Sequence, residues 1–143
     1  MPHAGLMVER EMGPIEGPLL RARLHIRGGM RRIRQGKHDA GVVTLGDALS
    51  AAIEYALDLH AKDIPSQPFD YEHAAYDALV KAGILSGRFD YEGFKTVVED
   101  ALAGEVDINA LPARIAALDA LMAELQIMPF DETKLPPEDP ETF

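Results

Sequence analysis

Apolar residues between positions 19 and 33 recur at steps of three and four, the spacing of one face of an α-helix. These residues are Leu19, Ala22, Ile26, Met30 and Ile33. Four arginines follow the same spacing beside them, namely Arg23, Arg27, Arg31 and Arg34. The segment therefore predicts a first helix whose apolar face packs on a core and whose neighbouring face is basic.

A short connection, residues 35–39 (QGKHD), separates this helix from a second apolar pattern expected at residues 40–62. Gly36 suits the left-handed residue that ends a helix, and Asp39 suits the residue that caps the next. The two helices should then form an antiparallel hairpin, in which residues whose numbers sum to about 74 lie opposite one another. Gly28 and Gly29, inside the first helix, mark either a kink or a close backbone contact.

The motif FDYE occurs twice in the second half of the chain, starting at Phe69 and at Phe89. Asp70 and Asp90 are expected to cap two further helices, and the phenylalanine before each to pack onto the first turn. A fifth helix is expected at residues 111–128. Because we find no segment with the alternating pattern of a strand, the fold class is predicted to be all-α, a compact bundle of about five helices.

Length and composition predict one domain. The chain of 143 residues matches the usual size of a single domain. We place the bundle at residues 19–128, with an N-terminal extension at residues 1–18. Residues 129–143 contain four prolines and five acidic residues, and we expect them to form a disordered acidic tail.

Charge is distributed unevenly in this acidic protein, whose net charge is −10. Residues 1–38 hold eight basic and three acidic residues, whereas residues 39–143 hold six basic and twenty-one acidic ones. Opposite charges should attract. We therefore expect that acidic residues of the second helix, or of a second copy, neutralise most of the arginines. The expected pairs join Arg23, Arg27 and Arg34 to Asp47, Glu54 and Asp58.

The alternative is that the basic helix binds a polyanion. An arginine-lined helix can neutralise phosphates, and the residues that would do so are Arg27, Arg31, Arg34 and Lys37. Nucleic acid is not favoured, because the protein is acidic, contains no tryptophan, and has no aromatic residue in the basic segment to stack on bases.

Other chemistry has little support in the sequence. Cysteine is absent, which excludes disulfides and thiolate chemistry. The five histidines lack the spacing of a metal site on one helix face, and we find neither a phosphate-binding glycine loop nor a nucleophile motif. We expect no metal and no cofactor. Without a signal-peptide pattern or a long apolar run, we expect a cytoplasmic protein that does not enter a membrane.

Residues 19–57 resemble the first helical hairpin of HEPN domains, in which a charged helix, a short turn containing glycine, and an alanine-rich helix follow one another. Gly36, Lys37, His38 and Asp39 stand in that turn, and the small residues are Ala48, Ala51, Ala52 and Ala56. The resemblance implies a helical bundle that commonly forms a homodimer. Some HEPN proteins accompany a nucleotidyltransferase, and others cleave RNA with an R-x(4–6)-H motif.

Arg32 and His38 have the spacing of that nuclease motif. In a metal-independent ribonuclease the histidine would act as acid or base on a ribose hydroxyl, and the arginine would hold the phosphate. In the nuclease members the motif belongs to a later helix, whereas here it spans the first turn. We therefore predict a non-catalytic binding or protein-interaction module. The alternatives are a HEPN-type ribonuclease and a helper of a partner enzyme that binds a nucleotide or polyanion.

Overall fold

The computed structural model describes residues 12–65 and 67–138, and their regular structure consists of α-helices and short 3-10 turns. The α-helices are α1 (Glu16–Arg34), α2 (His38–Leu59), α3 (Glu72–Lys81), α4 (Tyr91–Leu102) and α5 (Leu111–Glu124). The predicted all-α bundle, built on an antiparallel hairpin of the first two helices, is confirmed. Of the expected N-terminal extension, residues 1–11 lie outside the described residues, as do residues 139–143 of the expected tail.

The α1–α2 hairpin is held together by a close backbone approach at two glycines. A Cβ atom at Gly29 would lie 2.8 Å from the Leu45 side chain and 3.1 Å from the carbonyl oxygen of Gly41. A Cβ atom at Gly41 would lie 2.5 Å from the Ile33 side chain. Of the two glycines expected to mark a kink or a close contact, Gly29 marks a close contact, whereas Gly28 lies beside the flexible Arg32 side chain. Residues that face each other across the hairpin, such as Gly29 and Leu45, have numbers that sum to about 74, which is the expected register.

Between these helices, Gly36 has a φ of 81° and ends α1 as predicted. The role expected for Asp39 is wrong, because α2 begins at His38 and places Asp39 inside its first turn. The Asp39 carboxylate instead accepts a hydrogen bond of 3.2 Å from the backbone N–H of Val106. A side chain that a sequence pattern assigns to a local cap therefore anchors a distant loop.

Helix α2 lies at the centre of the bundle and packs against α1, α3 and α4. Its side chains fill the core, since Ala48, Leu49, Ala51, Ala52 and Ala56 are fully buried. By length and composition alone this helix could cross a membrane, whereas no such segment was expected from the sequence. In the bundle, 61% of its most apolar window is buried inside the protein.

The two FDYE motifs have different environments. Tyr91 of the second motif is buried and donates a hydrogen bond of 2.6 Å from its hydroxyl to Glu72, which also accepts one of 2.6 Å from Ser50. Glu72 thereby joins α2, α3 and α4. Burial, and then the bond to Glu72, raise the pKa of Tyr91 above its ordinary value. Tyr71, the equivalent residue of the first motif, is 66% exposed.

Only one of the two predicted caps forms. The Asp90 carboxylate accepts a hydrogen bond of 3.0 Å from the N–H of Gly93 in the first turn of α4, and it pairs with Arg114 of α5 at 3.1 Å. Asp70 precedes Tyr71, the residue that flanks α3, so it does not occupy the cap position. The hydrogen bond from Gly93, and then the one from Arg114, lower the pKa of Asp90 below its ordinary value.

We predict from this geometry that Asp90→Ala lowers the urea midpoint of unfolding, whereas the matched change Asp70→Ala leaves it almost unchanged. A lowered pKa in the folded state means that Asp90 stabilises the protein above the unfolded-state pKa of about 3.9. This contribution is lost as the pH falls through the lower pKa of the folded state. Urea unfolding measures the free energy of unfolding at neutral and at strongly acidic pH. On acidification, this free energy should therefore fall more in the wild type than in Asp90→Ala. Equal losses in both would contradict the prediction.

Candidate functional site

The C-terminal segment, which we define as residues 127–138, leaves the end of α5 and lies along α1. Helix α5 ends at Glu124, earlier than the expected residue 128, because the chain takes a left-handed conformation at Gln126, with φ 60°. The N–H of Ile127 then bonds the carbonyl oxygen of Met122 at 2.9 Å. This reversal of the chain directs the following residues back across the bundle.

The C-terminal segment packs on the bundle, and its residues 129–138 belong to the expected tail. Ile127 is fully buried, and Met128 and Phe130 pack against the core. A 3-10 turn follows at Glu132–Lys134, and the backbone N–H and hydroxyl of Thr133 both bond the Asp131 carboxylate. A few apolar residues of the segment therefore contact the core of the bundle.

Arg31 makes the strongest contact between α1 and the segment. Its Nε atom donates a hydrogen bond of 2.7 Å to Oε2 of Glu138, and its Nη1 atom bonds the Gln35 side chain at 3.3 Å. The side chain of Arg31 is only 7% exposed, and that of Glu138 18%. A charge-assisted hydrogen bond at this depth is among the stronger polar interactions of a protein.

Arg27 approaches the other oxygen of the same carboxylate. Its Nε atom lies 3.5 Å from Oε1 of Glu138, and the side chain is 13% exposed. Within the described part of the chain, this buried Nε atom makes no hydrogen bond. One carboxylate thus serves two arginines, and it satisfies the first better than the second.

Arg23, one helical turn before Arg27, contacts the beginning of the segment. Its Nε atom donates a hydrogen bond of 3.0 Å to the carbonyl oxygen of Ile127. The guanidinium also lies over the Phe130 ring, 5.7 Å from its centroid, within the range of a cation–π interaction. Because Arg23, Arg27 and Arg31 are spaced four residues apart on one side of α1, we call these three residues the arginine face.

The structure corrects the identity of the acidic partners. Arg23 and Arg27 contact the C-terminal segment instead of Asp47, Glu54 or Asp58. Glu54 pairs with Arg21 at 2.7 Å, while Asp47 is exposed. Burial, and then repulsion from Glu54, raise the pKa of Asp58 above its ordinary value. The arginines are therefore partly neutralised from within the chain, as expected, but mainly by Glu138, a residue of the expected tail.

The residues predicted to bind a polyanion fall into two environments. Arg27 and Arg31 lie under the C-terminal segment, whereas Arg34 and Lys37 are exposed where α1 ends. The proposed nuclease pair flanks the first turn, with Arg32 in the last turn of α1 and His38 as the first residue of α2. Burial, and then repulsion from Arg31, lower the pKa of Arg32, while Glu138 acts in the opposite direction.

The arginines of the site were predicted from the sequence, but the residues that contact them were not, namely Ile127, Phe130 and Glu138. The available signal was the acidic charge of the segment after α5, opposite in sign to α1. Among residues 12–65 and 67–138, no group of three or more histidine or acidic side chains is arranged to hold a metal ion.

Comparisons of the chain with models of protein families, with curated proteins and with solved structures found no match.

Proposed function

We propose that the protein is a non-catalytic binding module that recognises an acidic segment of a partner protein through the arginine face of α1. The observation that supports this proposal is that the face already holds a polypeptide. It contacts the C-terminal segment of its own chain by an ion pair, a hydrogen bond to a main-chain carbonyl and a cation–π contact.

These three contacts are suited to a peptide more than to a nucleic acid. The bond from Arg23 to Ile127 recognises a peptide carbonyl, and the ring of Phe130 provides an aromatic contact next to it. Phosphate binding would instead favour several exposed cations in one continuous surface. Of the four residues predicted to bind a polyanion, only Arg34 and Lys37 are exposed, whereas Arg27 and Arg31 lie under the C-terminal segment.

The test compares a fluorescently labelled peptide of the sequence 127–143 with a single-stranded RNA of similar length. Both are titrated into the full-length Glu138→Gln variant, in which the arginine face has lost its own carboxylate. We expect fluorescence anisotropy to show that this variant binds the peptide and that the affinity decreases as the salt concentration rises. The affinity should fall about tenfold or more when Arg27 and Arg31 are also changed to glutamine. Binding of the RNA but not the peptide, lost with the same arginines, would overturn the proposal in favour of the polyanion helper.

The ribonuclease alternative is tested with the same RNA in the absence of metal ions. Our proposal expects it to stay intact with the wild-type chain. Cleavage that disappears in His38→Ala and in Arg32→Gln would instead establish the ribonuclease. The homodimer and the partner enzyme expected from the sequence remain proposals, and light scattering at two protein concentrations tests the first of them.

A further inference from the structure

The C-terminal segment holds the arginine face at two separated points. Ile127 and Phe130 contact Arg23 near the middle of α1, and Glu138 contacts Arg27 and Arg31 nearer its end. Between these points, residues 131–134 are exposed to solvent. The contact therefore consists of an aromatic residue and a glutamate eight positions later, joined by a stretch that is hardly buried.

At the second contact point, the Glu138 carboxylate does not satisfy both arginines. The Glu138 carboxylate makes a hydrogen bond of 2.7 Å to Arg31, but it stays 3.5 Å from Arg27, whose buried Nε atom makes no hydrogen bond among the described residues. An arginine offers five N–H donors, so a ligand carboxylate that bonds both residues would leave fewer of them unsatisfied. Because the segment is covalently attached to the bundle, its contacts need not be optimal for it to occupy the arginine face.

We infer, on the basis of the proposed function, that the C-terminal segment is an internal ligand that closes the binding site of the free protein. The partner supplies an extended acidic peptide with an aromatic residue about eight positions before a glutamate, and it binds by displacing this segment. A segment on a short tether acts at an effective concentration in the millimolar range. A free peptide with the same contacts must therefore compete with it, and the affinity of the full chain is reduced accordingly.

The experiment measures binding of the labelled 127–143 peptide to the full-length wild type, to Glu138→Gln and to Glu132→Gln. Glu132 is a matched control, because it is an exposed acid of the same segment and its replacement changes the net charge equally. We expect Glu138→Gln to bind the peptide about tenfold more tightly than the wild type, and Glu132→Gln to resemble the wild type. We call Glu138→Gln and Phe130→Ala the opened variants, because each removes one contact between the segment and the arginine face. Phe130→Ala replaces Glu138→Gln in the experiment if Glu138→Gln does not fold.

Changes in the peptide test the recognised pattern. Replacing the glutamate that corresponds to Glu138 by glutamine, or the phenylalanine that corresponds to Phe130 by alanine, should each weaken binding to Glu138→Gln about tenfold. Equal binding of all three peptides would overturn the recognised pattern.

The outcomes separate the two proposals. If wild type and both opened variants bind the peptide equally tightly, the segment does not close the site, and this inference is wrong while the proposed function stands. If no variant binds the peptide, the proposed function itself is wrong. An increase in binding for Glu132→Gln as large as that for Glu138→Gln would show a general charge effect and would also overturn the inference.

Discussion

Gly29→Ala is expected to destabilise the protein by about 3 kcal/mol, because the added methyl group has no space at the α1–α2 crossing. It would lie 2.8 Å from a side chain that is itself 2% exposed, Leu45, and 3.1 Å from a backbone oxygen. Neither can move without separating the two helices. Gly41→Ala adds a methyl group to α2 at the same crossing and should destabilise the protein by a similar amount. Urea unfolding followed by circular dichroism measures both.

The neighbouring Gly28 provides the control for this prediction. A Cβ atom there would lie 3.0 Å from the tip of the flexible Arg32 side chain and 3.8 Å from Thr44. Arg32 can move aside at little cost. Because alanine favours a helix interior over glycine by about 1 kcal/mol, Gly28→Ala should leave stability unchanged or raise it. Equal destabilisation by Gly28→Ala and Gly29→Ala would show that the close approach at the crossing does not determine the result.

The second large effect is expected at Arg31 and Glu138. Glu138→Gln should destabilise the protein by about 1.5–3 kcal/mol, because it replaces a charge-assisted hydrogen bond and leaves a mostly buried guanidinium without its carboxylate. Arg31→Met should cost a similar amount. The double variant should cost less than the sum of the two, since no uncompensated charge remains. A double-mutant cycle by urea unfolding measures this coupling.

The pair Arg21 and Glu54 is the matched control for the cycle. The distance between Arg21 Nη2 and Glu54 Oε2 is 2.7 Å, as between the Arg31 and Glu138 side chains, but the side chains of Arg21 and Glu54 are 27% and 49% exposed. Solvent screening should reduce its coupling to less than about 1 kcal/mol. A coupling at Arg31 and Glu138 no larger than this would mean that the C-terminal segment is not held by its ion pair. The internal-ligand inference would then lose its physical basis.

The hairpin could be predicted in detail because its determinants are local. The apolar spacing of residues 19–33 defined α1, Gly36 marked its end, and the short connection fixed the register. The pair of Arg21 with Glu54 and the contact of Gly29 with Leu45 follow that register. The exact ends of helices were less predictable, since α5 stops at Glu124 where the chain turns at Gln126.

The FDYE motifs show why local patterns do not define roles. Both copies have the same four residues, yet only Asp90 caps a helix, and only Tyr91 is buried. The difference arises from the neighbours that the fold brings to each copy. Arg114 lies beside Asp90, and Glu72 lies beside Tyr91. The sequence shows the motif but not these neighbours, which are about twenty residues away along the chain.

The helical class, the central hairpin and the basic character of α1 could all be predicted, because periodicity and charge depend on residues that are close along the chain. The groups that contact the arginines became known from the three-dimensional fold. Arg31 and Glu138 are 107 positions apart, and their contact depends on the reversal of the chain after α5 and on the burial of Ile127 and Phe130. Such a pairing depends on the free energy of the whole packed chain, which no local pattern records.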